Sequence, residues 1–222
     1  MTTFFRLLDV EDKAEALRAA VAGATPDRTF EVAPEAFLRV AKAAFAYWVS
    51  PSLLGLFERL PSLVKAGHEA WAGLQTSDDY RWLRLWWEVP QATHGRERQS
   101  AAGGNWVPLA KGGEFRAYHA DVYLVVDWHE NGRRLKEWKV DQLRQGRITA
   151  NNSKCWNETK YFRPGLTWTA RTQSGFALRV LPDGCIMGKK GPGLLTAEND
   201  EETLLALLAL GNSSVFRSLV EL

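Results

Sequence analysis

The sequence lacks the features that identify several classes of protein. Only two of its 222 residues are cysteine, Cys155 and Cys185, so the chain cannot carry the disulfide framework of a small secreted domain. Its longest strongly apolar run, 204–210, is far shorter than the roughly 20 residues that cross a membrane. Residues 1–25 contain charges throughout and no apolar signal core. We therefore expect a cytoplasmic protein with reduced thiols and no membrane partner.

The short motifs of the common enzyme classes are missing as well. The chain contains no G-x-G-x-x-G, no G-x-x-x-x-G-K-[ST], no H-E-x-x-H, no C-x-x-C and no G-x-S-x-G. Segment 188–193 is rich in glycine and lysine, but it lacks the spacing of a P-loop. It is therefore either a turn that binds phosphate without catalysis or a surface turn with solvated lysines.

A small net charge of +2 hides an uneven charge distribution. Residues 133–190 hold 13 basic and 4 acidic side chains, a net +9, while the rest of the chain carries a net −7. Such asymmetry favours a surface that faces a polyanion. The ten tryptophans are the second unusual feature, and they serve either core packing or stacking on flat ligands.

The order of the predicted elements is helices, then strands, then helices. Apolar spacing predicts helices over 9–22, from Pro34 onward and over 51–60, whereas short β-like runs follow Gly67. Asn199 or Asp200 can cap a C-terminal helix. We therefore predict an α+β fold with a helical N-terminal region (1–66), a mostly antiparallel, strand-rich core (67–198) and C-terminal helices packing on that core (199–222).

Individual strands and turns can be placed within the central region. The β-like runs are 80–89, 106–110, 122–128, 166–172, 176–181 and 185–188. Residues 130–132 predict a turn after an apolar strand, and 182–184 predict a hairpin between two strands.

The basic segment carries the residue types that contact nucleic acid. Lysine and arginine contact phosphates, whereas asparagine reads the edge of adenine. We therefore expect the loop with Asn151 and Asn152 to read bases, and Trp138 and Trp156 to contact DNA. The alternative is that several aromatic side chains fill the core and that the arginines line the polar face of a sheet. The candidate DNA-binding residues of this segment are Arg133, Arg134, Lys136, Asn151, Asn152, Lys154, Trp156, Lys160, Arg163, Arg171, Lys189 and Lys190.

An ordered series of strings resembles one protein family. The strings are AYWVS at 46–50, GLQTSDD at 73–79, LRLWWEV at 83–89, KGG at 111–113, VDW at 126–128 with NG at 131–132, YFRPGLTW at 161–168 and LLALGNS at 207–213. The series resembles the C-terminal target-recognition region of large adenine-specific DNA methyltransferases of the BREX phage-defence (PglX) and type IIG restriction–modification kind.

This resemblance implies the recognition half of such an enzyme without its chemistry. In that family an N-terminal domain uses S-adenosylmethionine and an Asn/Asp-Pro-Pro-Tyr/Phe motif to methylate a flipped adenine, and this chain contains no Pro-Pro dipeptide. The implied partners are double-stranded DNA and a separate methyltransferase catalytic domain or subunit, with no cofactor bound by this chain. By resemblance, Thr76 and Arg81 join the candidate DNA-binding residues, whereas their local sequence alone predicts a polar turn that opens a strand.

Two other functions remain open at this point. The chain could be an interaction subunit that docks a catalytic partner through exposed aromatic side chains. It could also be a metal-dependent nuclease that uses His119, Asp121 and Asp127, although nothing in the sequence joins the pair His119 and Asp121 to a third ligand or a nucleophile.

Overall fold

The computed structural model describes residues 1–39, 46–90, 106–196 and 200–220. The chain forms two compact units, the first spanning 1–66 and the second starting at Gly67. Helices and mainly antiparallel strands are mixed along the chain, which confirms the α+β class predicted from the sequence.

The first unit contains an antiparallel strand pair in addition to the predicted helices. Its elements are β1 (Thr2–Phe5), α1 (Lys13–Val21), β2 (Thr29–Val32) and α2 (Pro51–Arg59), with short 3₁₀ helices at Pro26–Arg28 and Pro34–Arg39. Helix α1 begins where the Asp12 carboxylate accepts hydrogen bonds from the backbone amides of Ala14 and Glu15. The helix predicted from Pro34 is a 3₁₀ helix as far as Arg39, and residues 40–45 lie outside the described part of the chain.

The second unit is built on two four-stranded sheets. Its elements are β3 (Glu69–Trp71), α3 (Asp79–Trp82), β4 (Leu83–Leu85), β5 (Trp106–Ala110), β6 (Leu124–Asp127), α4 (His129–Arg144), α5 (Ala150–Ser153), β7 (Gly165–Thr167), β8 (Arg179–Leu181), β9 (Ile186–Met187), β10 (Gly193–Leu195), α6 (Glu201–Gly211) and α7 (Ser214–Val220). One sheet has the order β3-β10-β7-β8 and is antiparallel, and the other has the order β4-β6-β5-β9. In the second sheet β5 and β9 run parallel, which brings the carboxyl ends of these two strands together.

Two apolar clusters hold the second unit together. The larger one includes Val126, Leu135, Tyr161 and Ile186, each of which is almost completely buried, and it joins helix α4 to the β4-β6-β5-β9 sheet. The smaller one places Leu204 and Leu208 of α6 against Leu166 and Leu194 of the other sheet. Burying apolar surface stabilises the fold by about 25 cal/mol per Å², so these clusters fix the positions of the strands.

Helix α4 is the largest difference from the sequence-based prediction. The turn predicted at 130–132 is present, because Glu130, Asn131 and Gly132 all have positive φ, but a regular helix follows it. A Cβ atom at Gly132 would lie 2.7 Å from the Trp128 ring, so glycine is required there by space as well as by φ. The buried stripe of this helix contains Lys139 one turn after Leu135, and a lysine at an apolar position conceals the helical period.

Two strand predictions were wrong in detail. Residues 80–89 form the end of α3, the short strand β4 and a 3₁₀ helix, because the Asp78 carboxylate caps α3 through the amide of Arg81. Residues 182–184 do not close a hairpin, since β8 pairs with β7 and β9 pairs with β5. Gly184 has the positive φ of a turn, but that turn carries the chain from one sheet to the other.

No single helix in the described part of the chain has the length and apolarity needed to cross a membrane. Helices α6 and α7 have the required length and apolarity only when they are counted together, and a bend of 72° separates them.

Candidate nucleic-acid interface

A cleft forms where the parallel strands β5 and β9 end. Leu109 pairs with Ile186 and Ala110 with Met187, and the amide of Gly188 then donates to the carbonyl of Ala110 at 2.8 Å. The two segments that follow the strands, 111–113 and 188–190, therefore leave the sheet side by side. Each segment is short, basic and rich in glycine.

The segment after β3 closes one side of the cleft. The amide of Leu74 donates to the carbonyl of Met187 at 2.8 Å, and the amide of Lys189 donates back to the carbonyl of Leu74 at 2.9 Å. The chain then turns outward through Ser77, whose φ is 66°. Thr76 is buried and donates its hydroxyl hydrogen to the carboxylate of Asp79, which fixes the conformation of this turn.

The segment after β7 closes the cleft on another side. The amide of Ala170 donates to the carbonyl of Lys190 at 3.0 Å, and the hydroxyl of Thr169 donates to the carbonyl of Gly113 at 3.1 Å. The resulting cleft has a volume of about 940 Å³. We call it the cationic cleft, and the polar and glycine residues that line it are Gln75, Thr76, Ser77, Asp79, Lys111, Gly112, Gly113, Thr169, Arg171, Gly188, Lys189 and Lys190.

Close approach of two backbones at Gly112 gives the cleft its shape. A Cβ atom at this position would lie 2.3 Å from the carbonyl oxygen of Lys190, a distance that real Cβ atoms do not adopt. At Gly113, by contrast, a Cβ atom would have no neighbour within 4 Å. Gly112 is therefore required for packing, whereas Gly113 faces open space.

Cations outnumber acids in the cleft by four to one. Lys111 forms an ion pair with Asp79, the single carboxylate among the lining residues, and the Lys189 ammonium donates to the side-chain oxygen of Gln75 at 2.8 Å. Burial opposes the ionisation of Asp79, but the hydrogen bonds from Lys111 and Thr76 outweigh it and lower the pKa of this carboxyl group. Arg171 and Lys190 are exposed and form no ion pair with any residue that the structure describes. The cleft therefore presents an excess of positive charge to solvent.

Four of the fourteen candidate DNA-binding residues line this cleft. They are Thr76, Arg171, Lys189 and Lys190, and they come from three separate segments of the chain. The three candidates on α4 lie elsewhere and are paired with carboxylates. Arg133 contacts Glu130 at 2.7 Å, Arg134 contacts Asp127 at 3.0 Å, and Lys136 contacts Glu158 at 2.5 Å.

The asparagine loop is helix α5, and it adjoins the cleft. Asn151 is exposed and Asn152 is half-buried. The carbonyl of Asn152 accepts a hydrogen bond of 2.9 Å from the hydroxyl of Ser77, a residue that lines the cleft. Beyond the helix, the Lys154 ammonium lies 5.1 Å from the centre of the half-buried Trp156 ring, an arrangement typical of a cation–π contact.

The remaining three candidates contact other residues of the chain. Lys160 forms an ion pair with Glu69 at 2.7 Å, and the guanidinium of Arg163 donates to the carbonyl of Thr196 at 2.7 Å. Arg81 is exposed and lies near both the Asp78 carboxylate and the Trp138 ring. The structure therefore does not bring all fourteen candidates to one surface.

The ten tryptophans occupy several environments. Trp82 and Trp128 are buried in the larger apolar cluster, and Trp138 packs edge-on against Trp82 with ring centres 5.8 Å apart. Trp86 and Trp87, which lie in the string LRLWWEV, are exposed by about half of their surface. The apolar sequence around a tryptophan therefore does not show whether its side chain is buried or exposed.

Lys111 is a cation of the cleft that the sequence analysis did not include among the candidate DNA-binding residues. It follows β5, whereas Lys189 and Lys190 follow β9, and the parallel pairing of these strands was not predicted. The available signal was the KGG string at 111–113, which was noted for its resemblance alone.

The residues of the nuclease alternative are not assembled into a metal centre. Among the residues that the structure describes, no three His, Cys, Asp or Glu side chains form a group that could hold a metal ion. His119 and Asp121 line a cavity beside β6, while Asp127 accepts hydrogen bonds from Arg134 and from the amide of His129.

Comparison with known proteins connects the chain to two DNA methyltransferases. It is 28% identical to adenine-specific methyltransferase PglX of Lacticaseibacillus casei (strain Zhang) over 234 residues, which cover 99% of this chain and 18% of the relative. It is also 28% identical to adenine-specific methyltransferase BrxX of Escherichia coli O9:H4 (strain HS) over 178 residues, which cover 80% of this chain and 13% of the relative. No protein-family profile matches the chain. The chain is thus related to adenine-specific methyltransferases and spans less than a fifth of the length of either relative.

Proposed function

We propose that this chain is the target-recognition part of an adenine-specific DNA methyltransferase of a phage-defence or restriction–modification system. In this proposal it binds double-stranded DNA, contributes to the choice of sequence and carries no methyl-transfer chemistry of its own. The observation that carries the proposal is the cationic cleft, where Lys111, Arg171, Lys189 and Lys190 converge from three segments. The relation to two adenine-specific methyltransferases supports it independently.

The cleft has the chemistry of a phosphate-backbone contact. Lysine and arginine side chains that neutralise phosphates release counterions, and this release supplies most of the sequence-independent affinity for DNA. Lys111 is already paired with Asp79, so Arg171 and Lys190 are the cations most available to phosphates. The backbone of Lys189 is fixed, because its amide donates a hydrogen bond to the carbonyl of Leu74.

Base reading in this proposal belongs to helix α5. Asn151 is exposed, and α5 is tied to the wall of the cleft through the hydrogen bond from Ser77 to Asn152. An asparagine side chain can accept from and donate to the edge of an adenine in the major groove. Phosphates bound in the cleft would therefore position the duplex for Asn151.

Methyl transfer is assigned to a separate catalytic domain or subunit. Enzymes that modify a base inside a duplex must extrude it, which costs a few kcal/mol of unstacking, and contacts to the flanking duplex offset that cost. A recognition module supplies those contacts without any catalytic group. The catalytic Asn/Asp-Pro-Pro-Tyr/Phe motif would lie in that domain, which would also bind S-adenosylmethionine, and this chain contains no Pro-Pro dipeptide.

The test measures duplex affinity as a function of salt. If the four cations of the cleft contact phosphates, affinity should fall roughly 100-fold between 50 and 200 mM salt, measured by fluorescence anisotropy with a labelled duplex. Arg171→Gln and Lys190→Gln should each lower affinity for every sequence and reduce the slope of log K against log salt by about one. Arg18→Gln, which removes the same charge from the first unit, is the matched control and should leave the slope unchanged.

Sequence preference provides the second part of the test. Asn151→Ala should change the ranking of a duplex library more than it changes mean affinity, whereas Arg171→Gln and Lys190→Gln should weaken all duplexes equally. Absence of duplex binding at low salt, with and without a methyltransferase partner, would refute the proposal. An unchanged slope in both cleft variants would refute the assignment of the cleft while leaving DNA binding open to the other basic residues.

A second candidate function rests on exposed aromatic side chains. Trp86 and Trp87 stand edge-to-face with ring centres 5.4 Å apart, and the backbone of Trp86 is bonded to Tyr123, which is also exposed. Exposed tryptophan and tyrosine are typical of protein interfaces, so this surface would dock the partner that carries the catalytic domain. Trp87→Ser should then abolish co-elution with that partner in size-exclusion chromatography and leave duplex affinity unchanged.

A further inference from the structure

A second cavity lies beside the cationic cleft and contains a buried arginine. The cavity has a volume of about 480 Å³, and Thr167, Arg179, Arg116, His119, Glu114 and Asp121 are among its lining residues. We call it the Arg179 cavity. It shares Leu109, Lys111 and Gly113 with the cleft but is otherwise lined by different residues.

Arg179 is the unusual group in this cavity. Its side chain is 95% buried, yet no carboxylate of the described residues forms an ion pair with it. Two guanidinium nitrogens donate to neutral acceptors, the carbonyl of Glu114 at 3.4 Å and the hydroxyl of Thr169 at 3.2 Å. The third, Nε, is buried and has no hydrogen-bond partner among the described residues.

Thr167 presents a second unsatisfied group next to it. Thr167 and Arg179 are directly opposite each other in the antiparallel pair of β7 and β8, which places their side chains on the same face of the sheet. The hydroxyl of Thr167 is also buried and without a partner among the described residues. Both residues line the cavity, and most buried polar atoms in folded proteins are hydrogen-bonded.

We infer that the Arg179 cavity binds a phosphate group carried on a nucleotide-sized ligand. A guanidinium and a hydroxyl are donors that suit phosphate oxygens, and the guanidinium can donate through more than one N–H. Burial lowers the pKa of Arg179, but an arginine side chain keeps its proton in proteins, so the site retains a positive charge without a built-in counter-ion.

The rest of the cavity limits the size and charge of the ligand. A volume of about 480 Å³ is within the range of small-molecule pockets and exceeds what a bare phosphate ion needs. Arg116 and Lys111 are further cations of the lining, Arg116 contacts Glu114 at 3.9 Å, and Asp121 disfavours a ligand with several negative charges. The ligand is therefore either a free nucleotide or one nucleotide unit of a DNA strand, and only the second case rests on the proposed function.

The test is calorimetric titration of the whole chain with four probes. These are inorganic phosphate, thymidine 5′-monophosphate, thymidine without phosphate, and a short single-stranded oligonucleotide. Binding of the monophosphate but not of thymidine is expected for a free-nucleotide site, and binding of the oligonucleotide alone is expected for a strand contact. If no probe that carries phosphate binds, the inference is overturned.

Two variants separate binding from folding. Arg179→Gln should weaken binding of the phosphate probe by about tenfold or more, because a charge-assisted contact is lost. Thr167→Val should weaken it about threefold and should raise Tm slightly without ligand, because a buried hydroxyl without a partner is removed. Arg144→Gln, an exposed arginine on α4, is the matched control and should bind as the unmodified chain does.

The variants test phosphate binding in the Arg179 cavity separately from DNA binding in the cationic cleft. Should Arg179→Gln fail to fold, Thr167→Val still decides the matter, since unchanged affinity in that variant would contradict the assignment. Duplex binding through Arg171 and Lys190 is measured separately, so its loss or retention does not alter the result for the cavity.

Discussion

Replacement of Lys139 tests whether one buried lysine holds the wall of the cleft in place. Lys139 is completely buried, and its ammonium group donates to the carbonyls of Gln75 and Lys154, the latter at 3.2 Å, with the Cys155 sulfur at 3.8 Å. It thereby joins helix α4 to the segment that enters the cleft. Lys139→Met keeps the aliphatic chain and removes all three contacts.

The expected loss follows from the groups left without a partner. A buried carbonyl that loses its donor costs about 1–3 kcal/mol, so two of them predict a loss of about 2–6 kcal/mol in the free energy of unfolding. Relief of the buried charge opposes this loss, since burial of an ammonium is itself unfavourable. We expect the lost hydrogen bonds to outweigh the relief of the buried charge. The Lys139 ammonium donates to two carbonyls and a sulfur, and methionine can replace none of these bonds.

The assay is urea unfolding followed by the fluorescence of the ten tryptophans, one of which, Trp138, lies on the same helix. A loss of this size lowers the midpoint by about 1 M or more if the urea slope is typical. Lys136→Met is the matched control. It removes a half-exposed ammonium paired with Glu158 one turn earlier and should cost at most about 1 kcal/mol. A midpoint that is unchanged or higher in Lys139→Met would show that relief of the buried charge outweighs the bonds.

The same variant has a signature in pH. Burial lowers the pKa of Lys139, partly offset by the nearby Cys155, so the folded chain holds this proton less tightly than the unfolded chain does. Stability therefore rises with pH between the lowered pKa and 10.5, the value of the unfolded residue. The difference in stability between the unmodified chain and Lys139→Met should grow across that window.

Three further predictions concern the cleft and the C-terminal helices. Gly112→Ala should lower Tm by several degrees, because its Cβ would meet the carbonyl of Lys190, while Gly113→Ala should leave Tm nearly unchanged. Asp79 stabilises the fold above its unfolded pKa of 3.8, so urea midpoints should fall below that pH, and Asp79→Asn should weaken that dependence while Glu69 and Asp200, whose pKa values are also lowered, retain their part of it. Asn212→Ala should cost about 2–4 kcal/mol in unfolding experiments, because its buried amide bonds to both the amide and the carbonyl of Leu178.

The helices with clear end signals could be predicted from the sequence. Asp200 accepts a hydrogen bond from the amide of Glu202 at the start of α6, and α2 begins at Pro51, both as the sequence indicated, whereas α1 begins at Lys13 after its Asp12 cap rather than at residue 9. Helix α4 was missed, because Lys139 occupies a buried position that is normally apolar. The local sequence therefore predicted helices whose ends are marked by capping residues. It did not predict a helix whose buried face depends on tertiary contacts.

The cleft was only partly predictable for a related reason. Arg171, Lys189 and Lys190 were identified by their charge, and Thr76 by resemblance, but nothing in their spacing showed that they lie around one opening. Their convergence depends on the pairing of β5 with β9, which is a contact between distant parts of the chain. Charge in a sequence indicates a type of partner, whereas the shape of a site depends on strand order.

That pairing also determines when the site can exist during folding. Leu109 and Ile186 are about 77 residues apart in the chain, so the entropic cost of closing this loop must be met before any wall of the cleft is fixed. Parallel contacts of this range form slowly compared with local helices. The cleft should therefore appear late in refolding, after α4 and α6. A chain cut between the two strands should lose the whole opening rather than a single contact.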